Sequence, residues 1–391
     1  MSGPLDGVRV LDLTSNFMGP YASLLLADAG ADVCKIESPS GDTTRGVGPR
    51  RNPGMSAVFL HLNRNKRSVV LDLKSDAGRE ALLRMVAGAD VLLYSLRPSA
   101  MARLGLSYDA LRQVNERLVY CGAFGFGQTG PYADLPAYDD LIQAAVGMPV
   151  LQARKRGRPE YVASAVADRI VGMSLTNAVA MALYRRERTG RGQEVQVPMF
   201  ETFAHFVLGD HLYGKTFEPP LGETGYARMM NPDRRPFETA DGYVSVAVYT
   251  DRHWRDFFDI VGRPELKTDP RFTDIHGRTE NIGELYGLLS GIFTTRSTSD
   301  WVSVLQAADI PAIAMHTPDS VVDDAHLNAV GFFLDEDHPS EGRLRSLGIP
   351  QTWSEDQPQL RYPAPRLGEH TREVLAEYGF ADDEIAGLTE G

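Results

Sequence analysis

Residues 8–36 read VRVLDLTSNFMGPYASLLLADAGADVCKI, and this stretch decides the fold class. Val8 to Leu13 is a short run of β-branched residues and leucine, Tyr21 to Ala29 carries helical spacing, and Asp32 to Ile36 is a second strand-like run. The alternation continues outward. Ser68 to Leu73 (SVVLDL) reads as strand, Ala77 to Ala87 as helix, and Asp90 to Tyr94 and Leu118 to Ala123 as strands. Strands that alternate with helices require right-handed crossovers, which build a parallel sheet covered on both faces. The reading is therefore α/β: a doubly wound, mostly parallel, Rossmann-like sheet.

Further along, Ala165 to Arg188 is a long helical stretch closed by the turn signal Thr189-Gly190-Arg191-Gly192, and Glu194 to Val197 is a strand. Phe217 to Pro236 is rich in Pro, Gly, Arg and Asn and reads as a linker or binding loop. Short strands (YVSVAVY) and helices around Trp254 and Trp301 follow, and Thr371 to Tyr378 is a helical segment in the tail. These features divide the chain into a large domain, residues 1–216 plus 331–391, and a smaller α+β domain with its linker, residues 217–330.

The chain has 391 residues, 43% hydrophobic and 24% charged, which is ample material for a sizeable core. Its formal net charge of −12 argues against general nucleic-acid binding, which needs a basic face. The N-terminus has no charged start, apolar stretch and cleavage site in sequence. The longest apolar run, near Val171 to Leu183, is broken by Ser, Thr, Asn and Gly, so no membrane span is expected. Cys34 and Cys121, the two cysteines, lie in strand-like segments and read as buried free thiols, pointing to a reducing cytoplasm.

The first strand is followed by Thr14-Ser15-Asn16-Phe17-Met18-Gly19-Pro20, where a dinucleotide fold would carry G-x-G-x-x-G, so NAD is not expected. There is no ATP-binding G-x-x-x-x-G-K-[ST] loop and no G-x-S-x-G elbow. No H-E-x-x-H occurs, and His205 and His211 are off a single helical face, so no metal is expected.

Other motifs run the length of the chain in one order. They are Pro4 to Thr14 (PLDGVRVLDLT) with Gly19-Pro20, Gly30 to Glu37 (GADVCKIE), Gly41-Asp42, and Asn63 to Ser68 (NRNKRS). Gly127 to Tyr132 (GQTGPY), Thr189 to Gln193 (TGRGQ) and Leu367 to Thr371 (LGEHT) complete the set. With these the chain resembles, almost end to end, the class III coenzyme A transferases, a family that includes formyl-CoA transferase and, as a divergent branch, α-methylacyl-CoA racemase.

The resemblance implies an acyl-CoA:carboxylate CoA-transferase that takes coenzyme A thioesters as substrate, and an interlocked homodimer. In that family the nucleophile is an aspartate in a segment like Ala167 to Gly172 (ADRIVG), so the role carries to Asp168. By its own residues, a lone Asp at a helix start is more often a cap or a surface group. The helix dipole would favour its ionised form. By family position the CoA contacts fall at Phe17, Met18, Ser38, Leu71, Asp72, Leu73, Lys74, Ser95, Leu96, Arg97, Arg103, Pro136, Ala137, Tyr138 and Asp139, with Lys74, Arg97 and Arg103 as phosphate partners.

Arg154 to Arg158 (RKRGR) reads as a solvated loop first and a phosphate site second. Gly122 to Gly130 reads equally as a surface turn or as a source of oxyanion-binding N–H groups.

The chain also departs from the family pattern. Phe17 stands where formyl-CoA transferase has a glutamine, and Met229 to Pro236 (MMNPDRRP) replaces a run of glycines. Arg234 and Arg235 could hold an acceptor carboxylate there or be plain loop arginines. Tyr138-Asp139 stands where the racemase has a His-Asp pair, and tyrosine, with a pKa near ~10, is a poor base at neutral pH. Asp251, near the racemase's second acid, reads as structural. The readings to compare are thus CoA transfer, 2-methylacyl-CoA epimerisation and a non-catalytic CoA-binding protein.

Overall fold

The computed structural model describes residues 3–389. The first half of the chain runs β1 (Arg9–Leu13), α1 (Met18–Asp28), β2 (Asp32–Glu37), α2 (Ala57–Asn63), β3 (Lys66–Val70), α3 (Asp76–Val86), β4 (Val91–Tyr94), α4 (Pro98–Arg103), α5 (Tyr108–Val114), β5 (Val119–Phe124), α6 (Asp139–Ala145), α7 (Met148–Arg156), α8 (Val166–Thr189) and β6 (Gln193–Pro198). The six strands form one sheet in the order β3-β2-β1-β4-β5-β6, parallel throughout. The chain order reverses between β1 and β4, which opens a crevice at the carboxyl ends of those strands.

The third strand lies earlier than SVVLDL suggests. Lys66 and Arg67 pair with Val33 and Cys34, whereas Leu71 to Lys74 have left the sheet and turn into α3. The charged residues are held in the strand by ion pairs. Lys66 reaches Asp12, and Arg67 reaches Asp32 and Glu377.

The described residues cluster into two compact units. One comprises 3–146, 162–206 and 326–389; the other comprises 147–161 and 207–325. Residues 1–2 and 390–391 of the expected large domain lie outside the described residues. In the first unit, Leu11, Val69, Leu82, Leu92 and Leu111 form the core on one sheet face, and α1 packs on α8 on the other. An antiparallel hairpin, Phe333–His338 with Gly342–Leu347, also belongs here and has no clear period in sequence.

Cys34 and Cys121 are buried and unpaired with each other, and burial pushes both thiols up to about 12. By length and composition α8 is long and apolar enough to cross a membrane, against the expectation from its interrupting polar residues. Its Val171, Leu175, Val179 and Leu183 are buried within the unit.

The second unit holds a three-stranded antiparallel sheet, Phe237–Glu238, Tyr243–Val246 and Ala312–Ala314. Trp254, Phe257, Phe293 and Trp301 pack beneath it. Arg154 to Arg156, expected in a loop, form the last turn of α7, which Gly157 closes in the left-handed conformation at φ 86°. The 217–236 segment contains a short helix, Ala227–Met230.

A cluster of buried charges lies among β1, β2 and β3 and the loops that follow β1 and β2. Lys35 and Lys66 are fully buried. The Lys35 ammonium donates to Asp42 at 2.8 Å and to the Thr14 carbonyl at 3.0 Å. Lys66 donates to Asp12 at 3.4 Å and to the Pro20 carbonyl and Asn63 at 2.9 Å each. Glu37 takes two bonds from Arg45 at 2.8 and 2.7 Å and one from Ser68 at 2.7 Å. Burial opposes the charge on Asp12, but Lys66 and Lys35 nearby, with hydrogen bonds from Ser23 and Thr14, hold it below the usual carboxylate range. Lys35 and its hydrogen bond do the same for Asp42 against its own burial.

Removing one member of such a buried pair strands the other. Lys35→Met is therefore expected to lower stability by about 3–5 kcal/mol in urea unfolding. Asp12 and Asp42 bind protons less readily folded than unfolded. Their contribution is thus complete above about pH 4 and is lost as the pH falls below it, which acid unfolding monitored by circular dichroism will show.

Candidate active site

Two features of the first unit converge on one loop. A cavity of about 440 Å³ lies at the carboxyl ends of β1 to β4. Ser38, Leu71, Asp72, Leu73, Lys74, Leu96 and Arg103 line it, which brings together seven of the residues expected to touch CoA. Among the described residues, Lys74 and Arg103 make no ion pair, and both are exposed, so their charges are available to an anion. Ser95 accepts a hydrogen bond from the Ser15 N–H at 3.2 Å. Arg97 does not line the cavity; its guanidinium donates to the Asp134 carbonyl at 3.1 Å and anchors the segment leading to Pro136.

The sequence reading missed Ser15, Gly41, Thr43, Ala100 and Leu104 in the wall. Gly41 carried a signal in its Gly-Asp motif, whereas the others are unremarkable until the loops fold. The Thr14–Met18 loop is shaped by Asn16, left-handed at φ 68°, whose N–H donates to Asp42 at 3.3 Å and whose side chain accepts from Thr43 at 2.5 Å. Its last residues, Phe17 and Met18, cap and begin α1. A Cβ at Gly172 would sit 2.8 Å from the Met18 carbonyl oxygen, so only glycine lets α8 come this close. The loop that walls the cavity with Ser15 thus also abuts α8 one turn beyond Asp168.

Asp168 lies in the first turn of α8 and is partly buried. Its N–H donates to one oxygen of Asp139 at 3.0 Å. The other Asp139 oxygen accepts from the Gln143 side chain at 2.6 Å. Gln143 is fully buried, and its carbonyl accepts from the Val162 N–H at 2.9 Å, tying the segment before α8 to α6. Gln143 had no marker in sequence; it lies one helical turn from Asp139, and only the packing of α6 on α8 gives it a role.

The Asp168 carboxyl is not held ionised by the helix dipole as expected. Burial, and next the like charge of Asp139, push it up to about 7, with Arg169 opposing. Desolvation and a neighbouring carboxylate outweigh a partial dipole charge. Tyr138 caps α6 with its ring 65% exposed. In the glycine-bearing loop, the Gly127 N–H already donates to Glu201 at 2.9 Å and so is not free for an oxyanion. Gly125 packs on Ala137, where a Cβ would approach within 2.4 Å.

In the second unit, Arg234 and Arg235 line a separate cavity. Asp251 forms an ion pair with Arg278 and caps no site. Among the described residues no group of three or more His, Cys, Asp or Glu side chains is arranged to hold a metal ion.

Residues 5–371 match the sequence model of CoA-transferase family III. The chain belongs to that family. It is an enzyme that transfers coenzyme A. It is 32% identical over 385 residues to the succinate–glutarate CoA-transferase of Agrobacterium fabrum, covering 96% of this chain and 95% of the relative. It is 30% identical over 418 residues to a formyl-CoA:oxalate CoA-transferase of Escherichia coli, covering 100% and 99%. The crystal structure of Rv3272 from Mycobacterium tuberculosis, a protein named as a probable fatty acyl-CoA transferase, superposes with a TM-score of 0.83. It shares 32% identity with this chain, over 95% of this chain and 99% of that one.

A carboxyl with its pKa raised on folding takes up a proton between its unfolded value and about pH 7. Its contribution to the stability of this family III enzyme therefore declines as the pH rises through that window. Asp168→Asn should remove the decline, as read from thermal melts at pH 5 and pH 8. Asp139→Asn keeps an acceptor for the Asp168 N–H but deletes the like charge. It should lower the pH at which Asp168 ionises, followed by NMR of ¹³C-carboxyl aspartate.

Proposed function

We propose that this enzyme moves coenzyme A from an acyl-CoA donor to a carboxylic acid through covalent intermediates on Asp168. The observation that carries the reading is the Asp168 carboxyl itself. It is partly buried, has its backbone fixed by Asp139, and titrates near neutrality, so it can be ionised for attack at modest cost.

The Asp168 carboxylate attacks the thioester carbonyl, and the C–S bond breaks to give an aspartyl–acyl anhydride and the CoA thiolate. The thiolate attacks the aspartyl carbonyl, releasing the donor acid as its carboxylate and leaving an aspartyl-CoA thioester. The acceptor carboxylate attacks that thioester and expels the thiolate. The thiolate then attacks the acceptor carbonyl of the new anhydride, giving the product thioester and restoring Asp168. Each step passes through a tetrahedral oxyanion.

Coenzyme A occupies the cavity at the carboxyl ends of β1 to β4. Lys74 and Arg103 take its phosphates, and Leu71, Leu73 and Leu96 supply apolar surface. Arg97 acts by holding the 134–139 segment. Phe17, Met18, Ser95 and Pro136 to Asp139 border the path from that cavity towards α8. Arg234 and Arg235 are the candidates for the acceptor carboxylate. The large domain, 1–216 with 331–391, holds the CoA site, and 217–330 forms the smaller domain. Met173, Met181, Tyr184 and Phe206 expose large apolar side chains, which supports a homodimer, and the buried free thiols of Cys34 and Cys121 fit a reducing cytoplasm.

The printed names of the relatives support the reading, since both of the transferases compared above act on carboxylic acids or their CoA thioesters. Epimerisation is disfavoured by Tyr138, whose exposed phenol replaces a histidine.

Acyl-CoA with hydroxylamine should give a hydroxamate on Asp168, located by mass spectrometry of peptides. Asp168→Ala should reduce transfer by about 10³-fold or more. Adduct formation that survives this substitution would sink the assignment. Transfer should rise with pH through about 7 as the nucleophile ionises. A racemase would instead exchange the α-proton of 2-methylacyl-CoA in deuterium oxide with no acceptor present, and sedimentation as a monomer would refute the dimer.

A further inference from the structure

The second unit has a cavity of about 520 Å³, within the range that holds small ligands. Buried Phe237 and Trp254 and the ring of Tyr286 supply an aromatic lining, and Arg228, Arg234 and Arg235 supply its charge. Among the described residues, Arg228 and Arg234 make no ion pair, and Arg235 has only Asp233 at 3.8 Å. The Arg228 guanidinium lies 5.8 Å from the ring centre of Tyr249, another lining residue.

A fourth cation stands behind them. The Lys155 ammonium on α7 donates to the Arg234 carbonyl at 2.9 Å, and burial together with Arg234 and Arg156 weakens its hold on its proton. Arg154 on the same helix is tied to Thr224. On a chain of net charge −12, carboxylates are plentiful, yet among the described residues only Asp233 pairs with these cations, at 3.8 Å from Arg235. An anion brought from outside would pair with guanidiniums that the protein itself leaves largely unpaired. One carboxylate would neutralise one guanidinium and leave the other unpaired beside an apolar wall, whereas two carboxylates on a short carbon skeleton would satisfy Arg228 and Arg234 together. The skeleton would then rest on Trp254 and Tyr286.

We infer that this cavity binds a dicarboxylic acid, its two carboxylates held by Arg228 and Arg234. That this acid is the acceptor or the acyl group in CoA transfer rests on the reading proposed above; its binding does not require Asp168. Arg234 was a candidate from sequence, whereas Arg228, in the same segment, was not singled out until the cavity showed it in the wall.

The test is titration of the full-length protein with glutarate, butyrate and inorganic phosphate, by calorimetry and tryptophan fluorescence. Trp254 lines the cavity and Trp301 and Trp353 do not, so it is the reporter. Glutarate should bind at least about tenfold more tightly than butyrate or phosphate, and Arg228→Gln and Arg234→Gln should each weaken it about tenfold or more, towards the affinity of butyrate. Arg228→Lys keeps the charge but loses the planar fork and should give a smaller loss; it serves if the glutamine variant fails to fold.

Equal binding of butyrate, equal or tighter binding of phosphate, no saturable binding, or indifference to both arginine substitutions would overturn the site. In turnover, the KM for glutarate should rise in the arginine variants with kcat little changed. Asp168→Asn should retain glutarate binding. Transfer that persists in Asp168→Asn refutes the nucleophile alone, and glutarate binding that persists in both arginine variants refutes the site alone.

Discussion

The structure of the first unit depends on ions buried where the parallel strands end. Two lysines, Lys35 and Lys66, are withdrawn completely from water, and their desolvation is offset only because Asp12, Asp42, Asn63 and the carbonyls of Thr14 and Pro20 surround them. Such clusters contribute little net stability compared with well-packed apolar groups, but they tolerate few alternative arrangements. Here the bonds fix loops more than strands. Asp12 holds Thr14, Asp42 holds Asn16 and Thr44, and Glu37 holds Asp42 and Arg45. The loops so fixed are those that wall the cavity at the strand ends.

This arrangement also explains how a dinucleotide-type sheet manages without a glycine-rich turn. The strand order places a crevice at the reversal between β1 and β4 whatever occupies it. In a dinucleotide fold, glycines let a pyrophosphate approach the start of the first helix. Here that space is filled by the Thr14–Met18 loop, left-handed at Asn16 and pinned from beneath by Asp42. Lys74 and Arg103, which follow β3 and β4 in the chain, line the same cavity and make no ion pair among the described residues.

Asp168 shows how competing local effects resolve. A carboxylate in the first turn of a helix gains a fraction of a kcal/mol to about 1 kcal/mol from the dipole. Withdrawal from water and a second carboxylate act in the other direction and prevail. Asp139 has two consequences at once: it orients the Asp168 backbone and raises the Asp168 carboxyl. Gln143, buried behind it, makes that geometry a property of the α6–α8 packing.

Period and order in the chain determined a good deal. The alternation of β-branched runs with helical spacing was enough for the parallel sheet, because a strand between helices has no other way to bury both faces. Ordered motifs were enough for the family and singled out Asp168 as the candidate nucleophile. Only the tertiary structure decided where charged residues would lie. Lys66 and Arg67 look like the end of a loop until their partners from β1, β2 and the C-terminal helix surround them, so the third strand begins earlier than its apolar residues indicate. For the same reason the titration of Asp168 and the role of Gln143 were not legible. Each depends on desolvation or on a charge distant in sequence, and neither leaves a period in the chain.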